Sequence, residues 1–195
     1  MKLTLSSILL VIALVVWWQW TPSPHSDAVA TAGDPDVIFN PDNLDPLHVE
    51  QQQQESLRAA IATAGEPALT GKITRRPDFV SPFEWQVLKA VARERPDSDQ
   101  ELTRMVNYLR FSKQLESWQT PPDAMTTEQH QQLGWQLLAA IPDRVSQQDL
   151  AAHHAQQLQM MLLETLVSDD TERRQYLQRE AGRIGVTFDI HSNGY

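Results

Sequence analysis

The sequence predicts an all-α protein: an N-terminal transmembrane helix, a disordered acidic and proline-rich linker, then a compact antiparallel domain of about five to six helices. Three observations carry this prediction. An almost uncharged apolar run fills residues 3–20, side chains able to cap a first helical turn recur along the rest, and apolar stripes at helical spacing follow them.

The run is LTLSSILLVIALVVWWQW, Leu3 to Trp20. As a helix rising ~1.5 Å per residue it is ~27 Å long, close to the ~30 Å hydrocarbon thickness of a bilayer. Lys2 precedes it and no lysine or arginine follows until Arg58, whereas Asp27, Asp34, Asp36, Asp42, Asp45, Glu50 and Glu55 come next. That asymmetry keeps the N-terminus in the cytoplasm and places the bulk outside, so the expectation is a single-pass bacterial inner-membrane protein with a periplasmic domain. Ala28-Val29-Ala30 and Ala30-Thr31-Ala32 offer small-residue cleavage sites, the competing reading of a removed signal peptide. Trp17, Trp18, Trp20, Pro22 and Pro24 lie between them and the apolar core, and clustered indoles suit a membrane interface, which favours an uncleaved anchor. The absence of cysteine fits either.

Residues 21–48 hold Pro22, Pro24, Pro35, Pro41 and Pro46 among acids and small residues, too little apolar surface to offset ordering entropy. They read as a tether in which Val37-Ile38-Phe39 is the one short apolar patch. The helical domain is expected over 49–185. Its first helix spans about 49–64 and stops at Gly65. Ser81-Pro82-Phe83-Glu84 is a capping box with proline at the first position, followed by Phe83, Val87, Leu88 and Val91. Ser98-Asp99-Gln100-Glu101 opens the next helix, with Leu102, Met105, Val106 and Leu109 as its stripe. Tyr108, Phe111, Leu115 and Trp118 give that helix a second apolar face, which makes it central to the domain. Thr126-Thr127-Glu128-Gln129 precedes Leu133, Leu137, Leu138 and Ile141, and Ser146-Gln147-Gln148-Asp149 precedes Leu150, His154, Leu158, Met161 and Leu162. A last helix, about 170–184, ends at Gly185, and a tail of 186–195 contains the strand-like Val186 to Ile190.

Trp85-Gln86-Val87-Leu88 resembles Trp135-Gln136-Leu137-Leu138, and each helix is followed by Pro-Asp, Pro96-Asp97 or Pro142-Asp143. Two copies of a helical hairpin would produce this pattern; so would two good helices with a boundary aromatic.

Chemistry is harder to find. The chain contains no nucleophile elbow, no phosphate-cradling glycine loop, no paired-histidine zinc motif and no haem-attachment motif, so neither catalytic residue nor cofactor is expected. His130, His153 and His154 form the one alternative for metal or catalysis, because His130 and His154 each share a face with leucines and could meet across an antiparallel hairpin. Two imidazoles fall short of the three or four ligands a zinc site uses. The chain is acidic, at a net charge of −9, yet residues 72–113 hold Lys72, Arg75, Arg76, Lys89, Arg93, Arg95, Arg104, Arg110 and Lys113. A basic strip of this kind meets an acidic partner or anionic headgroups, or is a solvated face laced with ion pairs. Export and net negative charge disfavour nucleic acid.

The layout of short anchor, acidic spacer and glutamine-rich helical body is similar to that of the membrane-tethered steric chaperones of secreted lipases. Their Arg-x-x-Phe-Asp-Tyr signature is not reproduced by Arg75-Arg76-Pro77-Asp78-Phe79-Val80, so no residue roles carry over. The expectation is a domain that binds another envelope or secreted protein as an assembly factor, chaperone or complex subunit. Arg75, Arg76, Phe79, Arg93, Arg110 and Trp118 are its candidate contact residues.

Overall fold

Residues 46–186 of the computed structural model are described here; the expected membrane segment, the linker as far as residue 45 and the tail from residue 187 lie outside them. Six helices form among these residues: α1 (Pro46–Ala62), α2 (Pro82–Arg93), α3 (Ser98–Gln119), α4 (Thr127–Ser146), α5 (Ala152–Leu166) and α6 (Asp170–Arg183). None is long and apolar enough to cross a membrane. The all-helical domain is as the periodicity predicts. α1 starts at Pro46, inside the stretch expected to be linker, since a fixed proline φ suits a first helical position.

The capping boxes at Ser81 and Thr126 form as predicted, each hydroxyl accepting the amide three residues on while Glu84 or Gln129 returns to the cap amide. Two other starts differ. α3 begins after Asp97, which makes no side-chain cap, and Ser98 is its first helical residue. The expected start at Ser146 to Asp149 is instead a helix end: α4 runs through Pro142 to Ser146, and α5 begins after Ala151. Proline inside a helix costs ~3 kcal/mol, but Leu137, Leu138 and Ile141 are buried before it and Arg144 after it. The turn beyond the proline is held by its own contacts, Arg144 pairing with Asp149 and Val145 packing on the hydrophobic core. The two Trp-Gln segments therefore diverge after their matching start, because Pro96 lies between two helices and Pro142 lies within one.

Helix α3 is the axis of the domain, as its two apolar faces predict, and it packs against α1, α2 and α4. One cluster gathers Ala60, Phe79, Val80, Trp85, Ala92, Leu102 and Val106 from α1, the 63–81 connection, α2 and α3. The other lies across α3, where Phe111 and Trp118 meet Leu133, Leu137 and Ile141 of α4 and Leu162 and Leu163 of α5, with Ile184 closing it beyond α6. Gly134 leaves room for its neighbours here. A Cβ at that position would lie 2.8 Å from Trp118 Nε1 and 3.0 Å from Leu166 Cδ2.

The inward face of α2 is a correction to the expected stripe. Glu84, Trp85 and Ala92 are buried and Leu88 packs on them, while Phe83, Val87 and Val91 are half-buried. The cause is polar: Glu84 is drawn inward to a buried ion pair with Lys113 of α3, at 2.7 Å, and this fixes the rotation of α2.

Candidate functional site

The six candidate contact residues do not share a surface. Arg75 and Arg76 are exposed on the 63–81 connection, where Arg76 donates to the carbonyl of Val80. Arg93 is exposed at the end of α2. Phe79, Arg110 and Trp118 are interior.

A polar edge of α3 accounts for Arg110. Thr103, Asn107, Arg110 and Gln114 recur at helical spacing and face the 63–81 connection and the end of α1. The Thr103 hydroxyl donates to Gly71 O at 2.6 Å, and the Asn107 amide both accepts from Leu69 N at 2.8 Å and donates to Leu69 O at 2.9 Å. Arg110 Nη2 donates to Pro67 O at 3.0 Å, with its guanidinium 5.7 Å from the Phe79 ring centroid. Gln114 donates to Ala60 O at 2.9 Å. A connection with little regular structure is thus tied down along its backbone by side chains of α3. Burial lowers the Arg110 pKa from its ordinary value, and the charge of Glu66 partly restores it.

Lys113 lies one residue from that edge and makes a different junction. Its ammonium donates to Ser56 Oγ of α1 at 2.7 Å, to Phe79 O at 2.9 Å and to Glu84 Oε2 at 2.7 Å. Glu84 Oε2 also accepts the Ser81 amide at 2.7 Å, so one carboxylate caps α2 and anchors α3. Burial pushes the Lys113 pKa down, and the adjoining Glu84 opposes the shift without cancelling it. A second ionic junction is centred on Asp149, whose carboxylate is fully buried and pairs with Arg104 of α3 and Arg144 of α4. Arg104 also grips Glu101 with two hydrogen bonds, at 3.0 and 2.8 Å. Arg104, Arg110 and Lys113 of the basic strip are engaged by these contacts, Lys89 lies over the Trp85 ring, and exposed Lys72 pairs with Asp99 at 3.1 Å on the surface.

The imidazoles do not converge. Gly134, near the start of α4, faces Leu166 at the end of α5, so the two helices run antiparallel. His130 in the first turn of α4 and His153-His154 in the first turn of α5 therefore lie at opposite ends of the hairpin, roughly 20 Å apart at ~1.5 Å per residue. His130 is instead stacked flat on Trp118, with centroids 5.1 Å apart, and its Nε2 lies 2.8 Å from Trp118 O. His153 and His154 lie against each other with ring centroids 3.9 Å apart and planes tilted by 51°. Among the described residues no three His, Cys, Asp or Glu side chains come together as a metal site would require.

The feature the sequence did not disclose is a groove of about 380 Å³ between the end of α1, the 120–126 connection and the first three turns of α4. Ile61, Ala64, Pro122, Met125 and Leu133 give it an apolar lining, and Gln132 and Gln136 come from one side of α4. Among the described residues Arg58 is its one charged lining residue. Gln136 Oε1 is buried and has no hydrogen-bond partner among the described residues. Gly65, just past α1, takes a φ of +85°, the left-handed turn that favours glycine, and the end of the Gln136 side chain lies 2.7 Å from where its Cβ would be. No sequence signal marks the groove beyond that glycine, since its walls are assembled from residues some seventy positions apart.

Comparison with known protein families, with curated proteins and with solved structures finds no match to this chain.

Proposed function

We propose that this is a single-pass inner-membrane protein whose extracytoplasmic helical domain binds another protein, as an assembly factor, chaperone or envelope-complex subunit. The membrane part of the reading rests on the Leu3 to Trp20 run, with Lys2 before it and acidic residues after it. The observation that carries the binding part is the groove: an apolar concavity with one cation and amide-bearing side chains suits an uncharged or acidic polypeptide surface, and among the described residues no carboxylate, imidazole or thiol lines it. A tethered binder of this kind raises the local concentration of its client by confinement, without chemistry. Exposed Arg75, Arg93, Gln132 and Trp135 are the positions from which to look for that client. A photo-crosslinking amino acid placed at each in living cells, followed by mass spectrometry, should yield adducts to one defined protein. Adducts to lipid alone, or none from any of the four positions, would sink the reading.

A further inference from the structure

Resting on that protein-binding reading, we propose that the groove between α1 and α4 seats an extended peptide segment carrying a bulky apolar side chain next to a carboxylate. Three complementarities define this occupant. The volume of about 380 Å³ lies between Ile61, Ala64, Met125 and Leu133, which favours an aliphatic or aromatic side chain over a polar one. Arg58 supplies a positive charge at the apolar lining, and among the described residues no carboxylate lines the groove to neutralise it, so a negative group beside an apolar one is drawn to this place. The orphaned Gln136 Oε1 is an acceptor left without a donor, and an unmade hydrogen bond at a buried polar atom costs ~1–3 kcal/mol. The half-buried Gln136 side chain lines the groove, and turning its amide outward to accept a backbone N–H of an incoming strand removes that cost. Gln129 is already committed to the Thr126 amide at 2.9 Å, so it stiffens the rim, leaving Gln132 and Gln136 to meet the ligand.

The test uses the full-length chain in detergent micelles and two peptides, acetyl-Ala-Leu-Asp-Ala-amide and acetyl-Ala-Leu-Lys-Ala-amide, followed by NMR of the glutamine side-chain amides. The Leu-Asp peptide is expected to shift Gln132 and Gln136 saturably and to bind about tenfold more tightly than the Leu-Lys peptide. Arg58 is solvent-exposed, so Arg58→Glu should fold normally and reverse the order of the two peptides. Replacing the peptide leucine by alanine should weaken binding at least fivefold. Equal binding of the two peptides, an order unchanged by Arg58→Glu, or shifts that fail to saturate at Gln132 and Gln136 would overturn the proposal. If that happens while crosslinks still form from Arg93 or Trp135, the domain binds its partner elsewhere and the broader reading stands.

Discussion

The Lys113 ammonium is held by three oxygens from three different parts of the fold, and its removal tests what a single residue does for the domain. Two terms compete. Taking both ions out of water is expensive, while breaking an existing buried pair leaves the other charge uncompensated at ~3–5 kcal/mol. Lys113→Met should therefore lower stability by about 3 kcal/mol or more in urea denaturation. Combining it with Glu84→Gln should recover part of the loss, giving a coupling energy of about 1–3 kcal/mol. A double variant as unstable as the sum of the two singles would mean the pair is incidental. The sequence displayed both residues, Glu84 as half of a capping box and Lys113 as one cation among nine, yet nothing in their spacing joins positions 84 and 113. The same blindness applies to Arg110 and Phe79. An arginine and a phenylalanine in a basic, loop-containing region look like surface, and they are interior because the backbone of residues 66–71 comes to them.

Element ends show how much local chemistry was legible. α6 ends as glycine predicts: Gly185 takes φ +71°, Val186 N bonds to Ala181 O at 3.1 Å and Gly185 N to Gly182 O at 3.2 Å. α4 ends with the same pair of bonds, Asp149 N to Arg144 O at 2.9 Å and Gln148 N to Val145 O at 3.0 Å, but the left-handed residue is Gln148, at φ +62°. A glutamine gives no warning of such a turn, and the proline four residues upstream of Ser146 looks like the terminator. That is why the sequence places the α4 boundary at Pro142 and a new cap at Ser146. The turn survives because it delivers Asp149 to Arg104 and Arg144. A left-handed non-glycine residue costs ~1–2 kcal/mol, and glycine gives back part of the gain through its larger unfolded-state entropy. Gln148→Gly should therefore stabilise the protein by up to about 1 kcal/mol, seen as a higher thermal midpoint, whereas Gly185→Gln should lower it by a similar amount. A fall in midpoint on Gln148→Gly would show that the glutamine side chain, and not the backbone, holds the turn.

At the scale of the whole molecule, periodicity and caps specify an all-helical domain with α3 at its centre because those signals are local. The division into two cores sharing α3, and the groove at the α1–α4 meeting, depend on packing between distant helices and leave no such trace. The ionisable groups joining these cores make stability depend on pH in a way that can be worked out. Glu101 has its pKa lowered first by its hydrogen bond to Arg104, against an opposing effect of burial. The folded state therefore binds fewer protons than the unfolded one near and below the ordinary value of 4.5. Its contribution is present above that value and is lost as pH falls through the folded value. At the alkaline end two groups act in opposite senses. Burial lowers the Lys113 pKa, so the cost of holding the ammonium is carried at neutral pH and relieved as pH climbs towards its ordinary 10.5. Burial raises the Tyr108 pKa, so stability declines as pH rises above the ordinary 10.0 and the unfolded phenol ionises first. Urea midpoints measured from pH 3 to pH 11 should accordingly fall below pH 4.5 and again above pH 10. Glu101→Gln should flatten the acid limb and Tyr108→Phe the alkaline one, each leaving the other limb in place. An acid limb equally steep in Glu101→Gln would assign acid unfolding to carboxylates outside the Arg104 junction, and the link from α3 to the α4–α5 turn would then not govern how the domain opens.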